Sequence, residues 1–146
     1  MRKLLMMVAI AAVGIAAAFP AGQAFEPDHV MVQHILVAFQ GTIPGSSITR
    51  SRDEAETLAK ELYARALKGE DFDALVKEFT NDEYPGIYGM ANTDIEADAA
   101  SKEYPRARLV KAMGDVSFRL RIGEIGLAVY DPAASKYGWH IIKRIK

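Results

Sequence analysis

The sequence predicts an α+β domain in which helices cover one small sheet. Apolar runs rich in β-branched residues, typical of strands, lie near both ends of the region after residue 24. Between them, apolar residues recur at helical spacing. Strands so far apart in the chain have to meet in one sheet, which the intervening helices then cover. The predicted order is strand, two helices, an irregular segment with a short strand, a helix and two closing strands.

The first 24 residues read as a secretory signal peptide that precedes this domain. The basic residues Arg2 and Lys3 are followed by a run of 16 mostly apolar residues that ends before Pro20. This run is shorter than the about 17–25 residues that span a bilayer, and many of its members are alanine. Small residues follow up to Ala24, after which we expect a signal peptidase to cut.

The expected mature domain, residues 25–146, is slightly acidic. The whole chain has 18 basic and 19 acidic residues, and loss of Arg2 and Lys3 leaves 16 basic residues and a net charge of −3. This balance argues against a nucleic-acid partner recognised through bulk positive charge. The chain has no cysteine, which excludes disulfides, thiolate zinc sites and a cysteine nucleophile. We expect an exported monomer, periplasmic or extracellular, without a nucleic-acid partner.

The first half of the domain predicts a buried strand followed by two helices. Residues 30–39 form a near-continuous apolar run, as in a central strand covered on both faces. After a loop, Ser51 and Glu54 form a capping box that opens a helix, and Gly69 is placed to end it. Asp71 caps a second helix. The apolar face of that second helix carries Phe72, Leu75, Val76 and Phe79.

The second half alternates irregular and regular segments. Residues 80–104 are rich in turn-forming and acidic residues and leave room for one short strand. The remaining pattern predicts that strand at 87–91, a short helix at 106–113, strands at 125–130 and 138–145, and a hairpin loop at 131–136.

Two histidines and one turn carry candidate chemistry. His34 lies in the first strand and His140 in the last, so neighbouring strands would place them side by side on one sheet face. Asp82 leaves the second helix and would project over that face. A buried histidine is also a common satisfied core residue, so both interpretations stay open. The histidines lack i, i+4 spacing and an evident further ligand, so we expect no metal. No Gly-x-Ser-x-Gly motif supports a serine nucleophile.

Several motifs occur together in a fixed order along the domain. They are Val32-Gln33-His34-Ile35-Leu36-Val37, Gly69-Glu70-Asp71-Phe72, Phe79-Thr80-Asn81-Asp82, Ser117-Phe118-Arg119-Leu120, Gly123-Glu124-Ile125-Gly126 and Gly138-Trp139-His140-Ile141-Ile142-Lys143. Each motif is weak alone, but in this order and spacing they resemble the parvulin-type peptidyl-prolyl cis-trans isomerases. The resemblance extends from about Val30 to Lys146.

The resemblance implies a fold, an activity and a set of site residues. The fold is a parvulin-like (FKBP-like) small antiparallel sheet flanked by helices. The activity is cofactor-free isomerisation of X-Pro bonds in unfolded exported proteins, bound as strand-like segments in a shallow groove. His34, Asp82 and His140 match the catalytic set. The substrate-binding positions fall on Tyr88, Leu109, Met113 and Phe118, each of which also suits a plain core position.

The chain departs from the family pattern at the pocket. A stretch that is usually Gly-Gly-x-Leu-Gly followed by an aromatic residue reads Gly86 to Ala91 here, and Met113 stands where the family has phenylalanine. These changes keep open an alternative, a non-catalytic peptide-binding or chaperone domain on the same fold. The loop after the first strand offers only Arg50 and Arg52 as cations, so we predict no requirement for a phosphorylated substrate.

Overall fold

The structure, a computed structural model that describes residues 25–146, has the α+β architecture predicted from the sequence. The predicted signal peptide lies outside the described residues. Within the described part, no helix is both long and apolar enough to cross a membrane. The elements are β1 (His29–Val37), α1 (Arg52–Leu67), α2 (Phe72–Phe79), β2 (Ile87–Ala91), β3 (Glu103–Pro105), a 3₁₀ turn (Arg106–Arg108), α3 (Lys111–Ser117), β4 (Ile125–Ala128) and β5 (Trp139–Arg144).

The five strands form one sheet in the order β3-β2-β1-β5-β4. The first strand is therefore central, as its apolar run predicts, and the last strand lies directly beside it. All pairings are antiparallel except that of β2 with β3, which is parallel. The sequence pattern did not predict β3, because three residues ending in a proline, Pro105, carry too short a pattern to read as a strand.

Alternation along β1 divides the core into two layers. Ile35 and Val37 point to the side covered by α1 and α2. Val30 and Val32 point to the opposite side, where they pack with residues of α3. His34 shares this second face because side chains two residues apart lie on the same side of a strand. The hydrophobic pattern of one strand thus determines which side of the sheet receives the histidine.

The helix starts follow the capping signals in the sequence. The Ser51 hydroxyl accepts a hydrogen bond from the Glu54 backbone N–H at 3.2 Å, and the Glu54 carboxylate accepts one from the Ser51 N–H at 2.6 Å. Asp71 caps α2 by accepting from the Ala74 N–H at 3.0 Å. These bonds satisfy N–H groups that have no partner within the helix, so both helices begin where the local sequence predicts.

The predicted helix at 106–113 is wrong in its limits. Only a 3₁₀ turn forms at the start of this segment, Leu109 is extended, and α3 begins at Lys111. The Arg106 guanidinium binds carboxylates of Glu26 and Asp115 at 2.6 and 2.8 Å and lies over the ring of Phe118. These partners, which lie outside the segment, hold Arg106 in place. The helix propensity of residues 106–113 carries no information about such contacts.

The close approach of β1 and the start of β5 requires glycine at position 138. Its φ is +145°, and a Cβ built there would lie 2.1 Å from the Val37 carbonyl oxygen, far inside any tolerated contact. The residue directly precedes β5, so a side chain at this point would push the start of β5 away from β1. Only glycine permits the pairing that brings His140 beside the central strand.

We predict that Gly138→Ala destabilises the protein more than Gly123→Ala does. Both substitutions put alanine at a positive φ, which costs about 1–3 kcal/mol, but a Cβ at Gly123 would meet no atom within 4 Å. The overlap at Gly138 should add about 1–3 kcal/mol to the loss in free energy of unfolding. Denaturant unfolding of the two variants measures the difference, and equal losses would contradict the argument.

Candidate active site

The register of β1 and β5 brings the two histidines together. His34 pairs with Ile142, and Leu36 pairs with His140, so the histidines are diagonal neighbours on one face of the sheet. Their Nδ1 atoms lie 3.0 Å apart, their rings are nearly parallel at 12°, and both residues are 2% exposed. The expected side-by-side placement is present, and the distance is that of a hydrogen bond.

A continuous chain of hydrogen bonds extends from the histidine pair. Nε2 of His34 lies 2.9 Å from Oδ2 of Asp82, and the Tyr88 hydroxyl donates to the same oxygen at 2.6 Å. The Tyr88 ring also meets the His34 ring edge-on, with centroids 5.2 Å apart. We call Tyr88, Asp82, His34 and His140 the polar chain. It joins residues from β1, β2, β5 and the turn after α2.

The turn that carries Asp82 occupies a place in the sheet that β2 leaves free. β2 pairs with β1 only as far as Gln33. Beyond that point the Thr80 hydroxyl accepts from the Leu36 N–H at 3.1 Å, and the Asn81 N–H donates to the Leu36 carbonyl at 2.8 Å. The turn thus hydrogen-bonds to β1 as a further strand would. This attachment holds Asp82 against the histidine face.

Gly86 provides a second close support for His34. The Gly86 carbonyl accepts from the His34 N–H at 2.9 Å. A Cβ at Gly86, whose φ is +65°, would lie 2.7 Å from the His34 carbonyl oxygen and 3.4 Å from its ring. Glycine is therefore required at position 86, where the segment between α2 and β2 lies against His34 of β1.

The surroundings of the polar chain determine the charges of Asp82 and His140. The hydrogen bond from His34 is the main reason why the pKa of Asp82 lies well below its usual range, and the Tyr88 hydroxyl lowers it further. Burial, followed by the bond to Asp82, raises the pKa of Tyr88. Burial, reinforced by the neighbouring His34, lowers the pKa of His140 to about 3. Asp82 is thus an anion and His140 is neutral at pH 7.

These charges determine the direction of the hydrogen bonds. Because ionised Asp82 can only accept, Nε2 of His34 carries a proton and donates it to the carboxylate. Nε2 of His140 is buried and has no hydrogen-bond partner among the described residues. An orphaned imidazole nitrogen in a buried site is costly when charged, which agrees with the neutral state of His140.

The polar chain lines a pocket of about 240 Å³. Apolar side chains from β1 and from the segment before and within α3 form the rest of its wall, together with Arg108 and Tyr137. The volume lies below the about 300–1,000 Å³ of typical small-molecule sites, so the pocket suits one side chain rather than a whole ligand. The apolar lining residues are Leu36, Leu109, Val110 and Met113.

The structure brings together six of the seven residues predicted from the sequence. Tyr88, Leu109 and Met113 line the pocket with His34, Asp82 and His140, but Phe118 does not. Phe118 is 2% exposed and packs in the second core layer, with the Arg106 guanidinium 4.8 Å from its ring. It is a core residue at the position where the resemblance suggested a substrate contact.

Sequence reasoning missed four residues of the lining, for two different reasons. Leu36 lies two residues after His34, so strand alternation could have placed it on the same face. Val110 directly follows Leu109, so its position in the sequence could have indicated that it lines the pocket. Arg108 and Tyr137 come from a 3₁₀ turn and a hairpin loop that meet only in the folded chain. No local pattern marks such residues as neighbours.

The two arginines of the loop after β1 are occupied by structural contacts. Arg50 donates to the Ala38 carbonyl at 3.0 Å and to the Asn81 side-chain oxygen at 2.6 Å. The Arg52 guanidinium lies 5.2 Å from the Tyr130 ring centroid. Neither lines the pocket. Within residues 25–146, no group of three or more histidine and carboxylate side chains is arranged to hold a metal ion.

Comparison with known proteins matches most of the chain to one family. The family model described as "Rotamase: PPIC-type PPIASE domain" matches residues 34–146. The foldase protein PrsA of Caldanaerobacter subterraneus subsp. tengcongensis is 36% identical over 88 residues, which is 60% of this chain and 24% of that protein. The chaperone SurA of Pseudomonas aeruginosa is 31% identical over 116 residues, 80% of this chain and 23% of that protein. The chain thus matches about a quarter of the length of these curated relatives.

One solved structure is similar to this chain in fold. The solution structure of TbPIN1 aligns with a TM-score of 0.56 at 19% sequence identity. The alignment covers 82% of this chain and 98% of that one. At this identity the likeness concerns the fold alone, and it agrees with the strand and helix order described above.

We predict that stability falls as the pH drops below about 6.5, the ordinary pKa of histidine. His140 takes up a proton in the unfolded chain from that pH downward, whereas the folded protein resists protonation down to about pH 3. The unfolded state therefore binds more protons in this window, and stability is lost as the pH falls. We expect a loss on the order of 1–2 kcal/mol between about pH 7 and pH 5.

Denaturant unfolding at several pH values measures this loss. In His140→Phe the fall should be reduced, whereas His29→Gln, at an exposed histidine, should leave it in place. Asp82 adds a further loss only below its ordinary pKa of 3.8. A free energy of unfolding that is constant between about pH 7 and pH 5 would contradict a neutral, buried His140.

Proposed function

The chain belongs to the PPIC-type peptidyl-prolyl isomerase family, and from that premise we propose that its pocket accelerates cis-trans isomerisation of X-Pro bonds in exported client proteins. The observation that carries the proposal is the polar chain beside an apolar pocket sized for one side chain. The parvulin-type domain is shared with proteins named as a foldase and a chaperone.

Isomerisation of an X-Pro bond needs neither a nucleophile nor a cofactor. No covalent bond breaks, and the barrier of about 18–20 kcal/mol comes from amide resonance. Uncatalysed exchange at X-Pro takes about tens to hundreds of seconds. A thousandfold acceleration requires only about 4 kcal/mol of preference for the twisted amide over the planar forms. A shape that holds proline and favours the twisted bond is therefore sufficient.

The apolar part of the pocket is suited to hold the pyrrolidine ring. Leu109 and Met113 approach from the segment that leads into α3, and Leu36 lies on the same face of β1 as His34. With the ring fixed there, the chain on the other side of the amide rotates against it. An environment with little water also disfavours the charge-separated planar form of the amide. Met113 is flexible and polarisable, so this wall adapts more readily than an aromatic one.

Asp82 is the residue we assign to direct contact with the peptide. Its Oδ2 is occupied by His34 and Tyr88, whereas Oδ1 makes no hydrogen bond to another side chain of the described residues. With 27% of the side chain exposed, the carboxylate has room to accept an N–H of the substrate in addition to the backbone N–H of Glu83, which also lowers its pKa. A fixed anion at this point acts on the rotating amide without any need to reorganise during rotation.

The two histidines act as positioning residues in this account. His34 donates to Asp82 from Nε2 and meets His140 at its other ring nitrogen. Because both are buried in adjacent strands, they hold the carboxylate at a fixed distance from the apolar wall. Tyr88, on β2, donates a hydrogen bond to the same carboxylate and so also holds it in place.

The assignment of exported clients rests on the predicted signal peptide. The cleavage expected after Ala24 would release a chain that begins at Phe25. N-terminal sequencing of the exported protein tests this point directly, with Phe25 as the expected first residue. A mature chain that retains Arg2 and Lys3 would contradict it.

A non-catalytic peptide-binding domain is the alternative supported by the changed pocket. Met113 replaces an aromatic residue, and Ala91, at the position of a further aromatic, is fully buried between strands. A domain of this kind would bind unfolded chains without changing the rate of X-Pro exchange. The rate of exchange therefore separates the two functions.

The test is the cis-trans exchange rate of short X-Pro peptides, measured by exchange NMR with no metal or nucleotide added. We expect the protein to accelerate exchange. Asp82→Asn should lower kcat/KM about tenfold to a hundredfold, equivalent to about 1.4–2.7 kcal/mol, because the fixed charge is lost while the side-chain volume is kept.

Asp94→Asn is the matched control. Asp94 is an exposed carboxylate at a φ of +63°, a conformation that asparagine also tolerates. Its substitution should leave the exchange rate unchanged. Binding of the peptides without any acceleration would favour the non-catalytic alternative, and full activity of a folded Asp82→Asn variant would remove Asp82 from the site.

A further inference from the structure

A second groove adjoins the pocket and differs from it in charge. This groove has a volume of about 340 Å³ and shares Arg108, Leu109, Val110 and Tyr137 with the pocket lining. A peptide whose proline occupies the pocket has its neighbouring residues about 3.3–3.6 Å farther along for each residue. The shared residues place the groove within reach of the residues that directly flank the proline.

The groove is built between two segments that are held together. One wall is the stretch from Arg108 into α3, and the other is the hairpin loop between β4 and β5. The Ala112 N–H donates to the Ala134 carbonyl at 2.9 Å and so joins the two walls. The loop is itself fixed, because the Asp131 carboxylate accepts from the Ala133 and Ala134 N–H groups at 2.8 and 2.7 Å. The groove is thus formed before a ligand arrives.

The charges that line the groove are all positive. Arg108, Lys111 and Lys136 contribute to its walls, and no acidic residue does. Lys111 is neutralised by Asp115 at 2.5 Å. Lys136 lies over the Tyr137 ring, and neither it nor Arg108 has a carboxylate within ion-pair distance among the described residues. Two cations are therefore free to act on a ligand, in a domain whose expected net charge is −3.

The nearby Asp131 does not cancel this charge by pairing with the cations. Its Oδ1 is taken by the two backbone N–H groups of the loop, which lower the pKa of the carboxyl. Arg50 and Arg52 do not line the groove and are engaged with Asn81 and the ring of Tyr130. The positive groove is therefore separate from the loop after β1.

We propose that this groove is a specificity subsite that takes the side-chain carboxylate of an aspartate or glutamate directly flanking the substrate proline. The inference rests on the proposed function, since it assumes that the pocket holds proline. Arg108 and Lys136 supply the attraction, and the ring of Tyr137 lies between pocket and groove as an apolar surface. Peptides that carry a basic flanking residue meet like charge at the same place and are disfavoured.

The experiment compares peptides capped at both ends that differ at one residue, glutamate, glutamine or lysine, placed before the proline in one series and after it in another. The exchange rate gives kcat/KM, and NMR titration of the same peptides gives Kd independently of catalysis. In one of the two series we expect the glutamate peptide to have a kcat/KM about threefold higher and a Kd about threefold lower than the glutamine peptide, equivalent to about 0.7 kcal/mol. The lysine peptide should have a lower kcat/KM and a higher Kd than the glutamine peptide, and high salt should reduce both differences.

Variants locate the effect in the groove. Arg108→Gln and Lys136→Gln should each bring the ratio of glutamate to glutamine closer to one, and the double variant should abolish the preference. Lys68→Gln removes one exposed charge beyond the end of α1, away from the groove, and should keep the ratio. A preference for glutamate that survives in the double variant would overturn the assignment to these residues.

The outcomes also separate this inference from the proposed function. A ratio near one in both series, in Kd as in kcat/KM, would overturn the subsite even if all peptides are isomerised. Tighter binding of the glutamate peptide that depends on Arg108 and Lys136, without acceleration of exchange, would support the subsite and overturn the isomerase. Absence of both binding and acceleration would overturn both.

Discussion

The arrangement of the site depends on one buried hydrogen bond, between the Nδ1 atoms of His34 and His140 at 3.0 Å. Two polar rings in the middle of a sheet are costly unless they satisfy each other. Their partnership requires β1 and β5 to lie side by side in one exact register, since a slip of one residue would turn either ring to the opposite face. Gly138 makes that register possible by letting the backbones approach. The bond therefore links the topology of the whole sheet to the position of a single carboxylate, that of Asp82.

In the proposed mechanism, the same arrangement lets a small domain act on a peptide bond through its own side chains. The hydrogen bonds of the polar chain hold the Asp82 carboxylate in place in the folded protein. A bound peptide therefore meets a negative charge that does not have to reorganise during rotation. The apolar wall is carried by a different part of the fold, the segment that leads into α3, and the free cations by that segment and the β4–β5 loop. We thus assign three roles to separate elements that meet at one place: binding of the proline ring, the electrostatic action of Asp82 on the amide, and the preference for the residue beside the proline.

Much of this architecture could be predicted from the sequence because its causes are local. The cap at Ser51 and the alternation that turns His34 to one face are short-range patterns. The pairing of His34 with His140, 106 residues away, depends on the first and last strands being neighbours, which no periodicity reveals; the family resemblance supported the same pair. The limits of the helix predicted at 106–113 were wrong, and Arg106 in this segment binds the carboxylates of Glu26 and Asp115, which local propensity does not reveal. Phe118, for which the sequence left both a pocket and a core position open, packs in the core beside Arg106.

The most direct test of this account is the protonation state of the imidazole nitrogens, read from ¹⁵N chemical shifts of the histidine side chains across the neutral and mildly acidic range. The account predicts that His140 stays neutral throughout that range, because burial opposes its charging. It also predicts that Nε2 of His34 carries a proton throughout, because ionised Asp82 accepts from it. A protonated, positively charged His140 at neutral pH, or an unprotonated Nε2 on His34, would show that the polar chain does not hold the carboxylate as described.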